Sequence, residues 1–172
     1  MSLSPTARLI EIDDLEIVRN LALLIWPKTY NRQVSPDQID SLVSALFDID
    51  AMEADMSMRG HKFWVMRVGH ADVGFVAAHL EGTRIWITKL CVLPDFRGFG
   101  LANMLIRTVQ THFAPARDLV ICVHKDHGKA VDFCLKSGFS IDREIPSDLS
   151  QFGFTDYVMH KDLRPVLELR VA

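Results

Sequence analysis

The sequence has 172 residues, 49% of them hydrophobic and 24% charged, with a formal net charge of −3 at pH 7. This length and composition are typical of one globular domain that buries its own core, which excludes the fibrous and disordered classes. Because the small negative charge gives no general attraction for a polyanion, nucleic acid is not expected as a partner.

The cysteines and the apolar pattern of the chain indicate the cellular compartment in which the protein is expected. Cys91, Cys122 and Cys134 show no Cys-x-x-Cys or Cys/His ligand spacing, so a reducing cytoplasm fits best and no metal site is expected. No stretch approaches the roughly 18 apolar residues of a membrane span, and no signal-peptide pattern opens the chain, so membrane insertion and secretion are not expected. We expect a single domain over residues 1–172, with a disordered leader at 1–5 and a C-terminal tail at 164–172.

The first third of the chain predicts one strand and two helices. Residues 7–12 are typical of a short strand, and apolar residues then recur at near-helical spacing until Pro27 ends the first helix. The sequence Ser35-Pro-Asp-Gln38 has the form of a capping box with proline at the first helical position, so a second helix begins there.

The rest of the chain alternates strand and helix patterns. Strands are predicted at residues 63–68, 73–80, 85–93, 119–123, 139–145 and 152–159, the first three as sequential antiparallel neighbours. One helix follows residue 100, and another is capped by Asp126 and ends at Gly138. The predicted order is β-α-α-β-β-β-α-β-α-β-β, an α/β (α+β) fold of seven strands and four helices.

The most informative segment is Leu90-Cys-Val-Leu-Pro-Asp-Phe-Arg-Gly-Phe-Gly-Leu-Ala102, a strand that enters a glycine-bearing loop and opens a helix. Such a junction presents backbone amides and the positive end of a helix dipole, so it suits a phosphate. It is not a Walker loop, because no Lys-Ser/Thr follows the second glycine. It is a poor dinucleotide fingerprint, because Asn103 takes the third glycine position and the acid Asp118 precedes its strand.

Three motifs in order resemble those of the GCN5-related N-acetyltransferase (GNAT) family. Arg97-Gly-Phe-Gly-Leu-Ala102 matches [Q/R]-x-x-G-x-[G/A] directly after a strand that ends in Val-Leu-Pro. Val123-His-Lys-Asp-His-Gly-Lys-Ala-Val-Asp-Phe133, with Gly138-Phe139, resembles V-x-x-x-N-x-x-A-x-x-F-Y-x-x-x-G-F. Asp156-Tyr-Val-Met-His-Lys161 resembles the closing D-x-x-x-M-x-K strand, so the resemblance covers residues 7–163.

The resemblance implies a mixed, mostly antiparallel sheet whose fourth and fifth strands separate to admit the pantetheine arm of acetyl-CoA. Backbone groups of Leu90 and Val92 would pair with pantetheine, backbone amides of residues 97–102 would hold the pyrophosphate, and the Val92 amide would stabilise the thioester oxyanion. The implied cofactor-binding residues are Leu90, Val92, Arg97, Gly98, Phe99, Gly100, Leu101, Ala102, His127 and Phe133. Glycines at these turns let the backbone approach phosphate oxygens without a Cβ in the way.

The chain departs from the family pattern at two positions. His127 stands where the family has asparagine, and it is either a donor to the cofactor or a plain surface residue. Cys134 stands where the family has the tyrosine that protonates or stabilises the departing thiolate. It is either a weak catalytic donor or a small packed helical residue. His124, Asp126 and His127 do not have convincing metal-ligand spacing.

The acceptor side of the site is less defined. Trp26 and Tyr30 are placed in the connection between the first two helices, which forms part of the acceptor pocket in this family, with core packing as the alternative. Residues 36–58 hold six acids and no Lys or Arg. They form either a solvated helix face or a surface that attracts a cationic amine.

The resemblance therefore predicts an acetyl-CoA-dependent N-acetyltransferase that acts on a primary amine of a small molecule or peptide, by direct attack in a ternary complex. The alternative is a non-catalytic acyl-CoA-binding or regulatory module of the same fold. No metal, nucleic acid or membrane partner is expected, and the prediction is compatible with a homodimer.

Overall fold

The computed structural model describes residues 3–148 and 153–165, which form seven strands and five α-helices with two short 3-10 turns. The elements in chain order are β1 (Pro5–Leu9), α1 (Leu15–Tyr30), α2 (Pro36–Leu46), α3 (Ile49–Met58), β2 (Lys62–Val68), β3 (Ala71–Glu81), β4 (Arg84–Val92), α4 (Leu101–His112), β5 (Asp118–His124), α5 (Gly128–Lys136), β6 (Ser140–Pro146) and β7 (Thr155–Asp162). None of the described helices has both the length and the apolar character needed to cross a membrane.

The seven strands hydrogen-bond in the order β1-β2-β3-β4-β5-β7-β6. The pairs β1–β2, β2–β3, β5–β7 and β6–β7 are antiparallel, and β4–β5 is parallel. A parallel pair needs a crossover connection, which α4 provides. The predicted α/β fold with a mixed, mostly antiparallel seven-stranded sheet is confirmed.

The described residues divide into two compact units. The first contains residues up to 79 together with 89–109, and its fully buried side chains include Leu15, Val18, Phe63, Met66, Phe75 and Leu105. The second contains residues 80–88 together with those from 110 onward, and its fully buried side chains include Ile85, Leu119 and Met159. Each unit therefore has an apolar core of its own.

Helix α1 continues past Pro27, so the predicted end of the first helix at that residue is wrong. A proline inside a helix removes one backbone donor, here the partner of the Leu23 carbonyl. The cost is small because Leu23 lies on the exposed side of the helix, where water can serve its carbonyl. Buried Ile25 and the Thr29 hydroxyl, which donates to the Ile25 carbonyl at 3.0 Å, hold the last turn in place.

Helix α3 is an element that the hydrophobic pattern did not predict. It begins after Asp48, whose carboxylate accepts from the Ala51 amide at 2.9 Å. Ile49, Met52 and Met56 are spaced as on one helix face, but Asp50, Glu53 and Asp55 alternate with them, and Met52 is the only buried residue of this helix. The capping box of α2 is confirmed, because Ser35 and Gln38 exchange hydrogen bonds in both directions.

The two chain ends are only partly described. Strand β1 begins at Pro5, earlier than the predicted residue 7, because it pairs antiparallel with the end of β2 from Val68 onward. Pro5, the last residue of the predicted leader, lies in this strand. Residues 1–2 of that leader, residue 152 of the predicted last strand and residues 166–172 of the predicted tail lie outside the described residues.

Candidate active site

The segment that follows β4 in the first compact unit forms a strand–turn–loop–helix junction. A 3-10 turn over Pro94–Phe96 follows the strand, and α4 begins at Leu101, with the Met104 amide bonded to the Gly100 carbonyl at 3.0 Å. The amides of Leu101 and Ala102 stand in the first turn of α4, which offers them no acceptor inside the helix. The junction therefore directs backbone N–H groups and the positive end of the helix dipole toward its own loop.

Residues 97–102, which we call the glycine loop, have a backbone shape that only glycine adopts readily. Gly98 and Gly100 have φ angles of +85° and +78°. A Cβ added at either position would meet no atom of the described residues within 4 Å, apart from the chain neighbours, so the loop borders open space. Phe99 between them is 74% exposed. The loop thus leaves room for a large anionic group to approach its amides closely.

The end of β4 offers backbone groups that its neighbour β5 does not use. Within the described residues the β4–β5 ladder has four pairs, from Arg84 with Asp118 to Ile87 with Ile121. Leu90 and Val92 lie beyond its last pair, so this ladder leaves their backbone groups for another partner. The resemblance to the GNAT family assigns the pantetheine contacts to this strand segment.

Strand β3 approaches the end of β4 closely at a glycine. A Cβ on Gly74 would lie 2.6 Å from the Cys91 carbonyl oxygen and 3.3 Å from the Val92 Cα. Gly74 follows Val73, which stands opposite no residue of β2 where the register shifts, and the Val73 carbonyl accepts from the Leu93 amide at 2.8 Å. Because residue 74 has no side chain, the end of β4, including Val92, can lie this close to β3.

The side chain of Arg97 is exposed and turns toward the end of β4 and α1. Its Nε donates to the Val92 carbonyl at 3.0 Å, and its Nη2 donates to the Thr29 hydroxyl of α1 at 3.3 Å. The motif identified Arg97 as a residue of the loop, but its spacing carries no information about this turn of the side chain. The geometry makes Arg97 a positioning residue that ties the end of β4 to α1.

Replacing Arg97 with alanine is expected to lower kcat about tenfold, because a charge-assisted hydrogen bond to the Val92 carbonyl contributes about 1.5–3 kcal/mol. The KM for acetyl-CoA should change little, at low and at high salt alike. Steady-state kinetics of Arg97→Ala at two salt concentrations checks this, with Arg107→Ala on the exposed face of α4 as the matched control. A salt-dependent rise in KM with kcat unchanged would instead show that Arg97 acts as a counter-charge for phosphate.

Trp26 and Tyr30 belong to α1 and not to the connection after it, which corrects their predicted placement. Their rings lie 4.8 Å apart, and Trp26 also meets Phe47 edge-on at 5.9 Å. Lys89 from β4 places its Nζ 4.8 Å above the Phe47 ring and donates to the Leu46 carbonyl at 3.1 Å. Trp26 and Tyr30 are half-buried, so the role as acceptor contacts stays a prediction beside the packing role that the structure shows.

The predicted cap of α5 is wrong by one residue. His127, not Asp126, precedes the helix, and its Nδ1 accepts from the Ala130 amide at 3.2 Å. This bond places the imidazole hydrogen on Nε2 in the neutral ring. The predicted contact of His127 with the cofactor stays a prediction.

Cys134 is packed inside the second compact unit. It is 2% exposed, and burial raises the pKa of its thiol to about 11. Transfer of a proton from such a thiol to a thiolate of ordinary pKa near 8.5 is uphill by roughly 3 kcal/mol. The environment therefore favours a packing role for Cys134, whose catalytic role stays a prediction. Phe133, its neighbour on α5, is half-buried.

Two of the six acidic residues in the segment 36–58 bond to residues close to them in the chain, and four are exposed. Asp48 caps α3, and Asp55 pairs with Arg59 at 2.7 Å. The remaining four are exposed, namely Asp37, Asp40, Asp50 and Glu53. Among the described residues no group of three His, Cys, Asp or Glu side chains is arranged to hold a metal ion, and the three cysteines are free thiols.

Comparisons with known proteins show the family and the fold of the chain. The family model described as an acetyltransferase (GNAT) domain matches residues 30–162. No curated protein sequence matches the chain.

Solved structures share the fold at low sequence identity. The PaiA N-acetyltransferase of Thermoplasma acidophilum, in complex with coenzyme A, is 18% identical with a TM-score of 0.78, over 92% of this chain and 99% of that one. A GCN5-related N-acetyltransferase of Rhodopseudomonas palustris is 19% identical with a TM-score of 0.72, over 95% and 98%. The ribosomal-protein-S18-alanine N-acetyltransferase of Escherichia coli is 11% identical with a TM-score of 0.70, over 94% and 96%.

Proposed function

The chain belongs to the GNAT family of acetyltransferases, and from this premise we propose that it moves the acetyl group of acetyl-CoA to a primary amine of a small molecule or peptide. Family membership makes the chain an acyltransferase that uses acetyl-CoA. The amine acceptor and the mechanism below are our proposal.

The observation that carries the proposal is the glycine loop. Two glycines with positive φ stand at the start of α4, with open space where their side chains would be. Backbone amides at a helix N-terminus beside such open space suit the pyrophosphate of a nucleotide-bearing cosubstrate. No Lys-Ser/Thr pair or third glycine adapts the loop to a nucleoside triphosphate or a dinucleotide.

The proposed mechanism is direct attack of the amine on the thioester within a ternary complex. The Val92 amide would donate to the oxyanion as it forms, which is the usual benefit of a fixed dipole where charge develops. Gly74 and Arg97 hold that residue from two sides. Holding both reactants in register supplies a large part of the remaining rate enhancement.

An alkylammonium acceptor must lose a proton before it can attack. With a pKa of about 10.4 it is almost wholly protonated at pH 7, so forming the free amine costs roughly 4–5 kcal/mol. A base within reach of the amine, directly or through water, lowers this barrier. No residue of the chain has to act as a covalent nucleophile.

A non-catalytic acyl-CoA-binding module is the alternative, because the family tyrosine is replaced by Cys134. Steady-state release of CoA over a panel of primary amines, with mass analysis of the products, separates the two functions. We expect an acetylated amine and stoichiometric CoA. Binding of acetyl-CoA without transfer to any amine would favour the module.

Replacing Cys134 with alanine is expected to leave kcat within about threefold of wild type, whereas loss of a true general acid costs about 100-fold or more. The reason is that a buried thiol with a raised pKa is a poor proton donor. Cys134→Ser, which keeps a donor of similar size, serves as the matched variant. A folded alanine variant that binds acetyl-CoA but transfers nothing would make the thiol catalytic.

A further inference from the structure

Two histidines of the first compact unit stack face to face. The ring of His61, directly before β2, lies 4.3 Å from the ring of His79 on β3, and the two planes are 9° from parallel. The antiparallel ladder between β2 and β3 ends at the pair Lys62–Ala78, so the two histidines stand one position beyond its last pair. The ring stack therefore continues the contact between these strands past the end of their backbone pairing.

The end of α3 lies beside the same stack. The backbone carbonyl of Asp55 in this helix accepts from the amides of Arg59 and His61, at 3.2 Å and 3.0 Å. One carboxylate oxygen of Asp55 accepts from Nε of Arg59 at 2.7 Å, and the other lies 3.9 Å from Nδ1 of His61. His61 thus joins the end of the helix to the ring stack.

The imidazole of His61 is enclosed in a way that disfavours a positive charge on it. Its side chain is 11% exposed, and its Nδ1 is buried with no hydrogen bond to any residue that the structure describes. The 3.9 Å to the Asp55 carboxylate is too long for such a bond. A charged ring here would have neither water nor a hydrogen-bonded carboxylate at this nitrogen, so the neutral ring is favoured.

The charged groups around the ring act in the same direction, with one exception. Burial is the largest cause that lowers the pKa of His61, and the charge of Asp55 opposes it. Three further groups lower this pKa, namely His79 on β3, Arg59 after α3 and Lys89 on β4. Two positive rings 4.3 Å apart would also repel each other. The stack is therefore stable as a neutral pair and strained by a proton.

We propose that the stack of His61 and His79 is a pH-sensitive latch, which holds the end of α3 beside β2 and β3 while both rings are neutral and releases it when His61 takes up a proton. The inference goes beyond the proposed function and does not depend on it. When the latch opens, the imidazole of His61 reaches water, and its pKa returns toward the ordinary value of about 6.5. The open form then binds the proton more tightly than the closed form, so the closed form loses stability as the pH falls below about 6.5.

Hydrogen exchange and thermal unfolding of the full chain at about pH 7.5 and about pH 5.5 test the latch. In the wild-type protein we expect the amides of residues 52–61 to lose protection at least about fivefold at the lower pH, after correction for the intrinsic effect of pH on exchange, while those of α4 change less than about twofold. His61→Phe keeps a flat ring for the stack but has no nitrogen that can be protonated. Its Tm should fall at least about 3 °C less than that of the wild type between the two pH values.

His70→Phe is the matched control, because His70 is exposed in the turn between β2 and β3, and this variant should respond to acid as the wild type does. His61→Gln repeats the comparison if His61→Phe does not fold, and the exchange measurement on wild-type protein needs no variant at all. Equal falls in Tm for the wild type and a folded His61 variant would overturn the proposal. Exchange that rises equally in α3 and α4 of the wild type would overturn it as well.

Discussion

We expect acetyl-CoA binding to weaken at least about tenfold when Gly100 is replaced with valine, an effect of about 1.4 kcal/mol or more. The φ angle of +78° at this position is one that a β-branched residue adopts only with strain. Apart from the two chain neighbours of Gly100, no described residue has an atom within 4 Å of the added Cβ, so the Cβ itself meets no clash there. The loss of affinity would come from a displaced loop backbone and from a side chain where the pyrophosphate approaches.

Gly82→Val is the matched control for this variant. Gly82 also has a positive φ, +60°, and open space around its missing side chain, but it lies in the turn between β3 and β4. Its variant should lose stability to a similar extent and keep its affinity for acetyl-CoA. Calorimetry on both folded variants measures their affinity for acetyl-CoA. An unchanged affinity in Gly100→Val would show that the loop does not bind the pyrophosphate.

The second large effect is expected in Gly74→Ala, which should lower kcat about 100-fold, as a displacement near 1 Å at a reacting group does. The added Cβ would lie 2.6 Å from the Cys91 carbonyl oxygen, a backbone atom that cannot rotate away. The end of β4 must therefore shift, and the Val92 amide shifts with it. Overpacking of this kind also lowers the free energy of unfolding by about 1–3 kcal/mol.

Separate measurement of kcat, acetyl-CoA affinity and Tm distinguishes displacement of the amide from general damage. Gly128→Ala offers a comparison, because a Cβ there meets nothing within 4 Å and the backbone has an ordinary φ. We expect a lower Tm and a much lower kcat in Gly74→Ala alone. If that variant is folded and its kcat matches wild type, the Val92 amide does not act as the oxyanion donor.

The sequence predicted those parts of the fold that local chemistry controls. The capping box at Ser35, the change from helical to strand periodicity after residue 60 and the glycine loop all depend on residues close together in the chain. Helix α3 was missed because three acids stand between its apolar residues, so the segment is typical of a solvated connection, and only Met52 along it is buried. The extension of α1 past Pro27 depends on packing by distant residues, which overrides the local preference of proline.

The sequence predicted which backbone segment forms the candidate site, but it did not predict the long-range contacts that this segment makes. The motif identified residues 97–102, but the direction of the Arg97 side chain depends on Val92 and on Thr29, sixty-eight residues away from Arg97. The fit of Gly74 against β4 likewise follows from strand pairing, which no local pattern around residue 74 predicts.

The central claim is that acetyl passes directly from acetyl-CoA to an amine, and a single-turnover experiment tests it most directly. Protein in excess is mixed with acetyl-labelled acetyl-CoA and the best amine of the panel, and label is followed in cosubstrate, protein and product. We predict that label moves from acetyl-CoA to the acetylated amine in one phase, with none bound covalently to the protein at any time. Label that first accumulates on the protein, or that never leaves acetyl-CoA with any amine, would contradict the account.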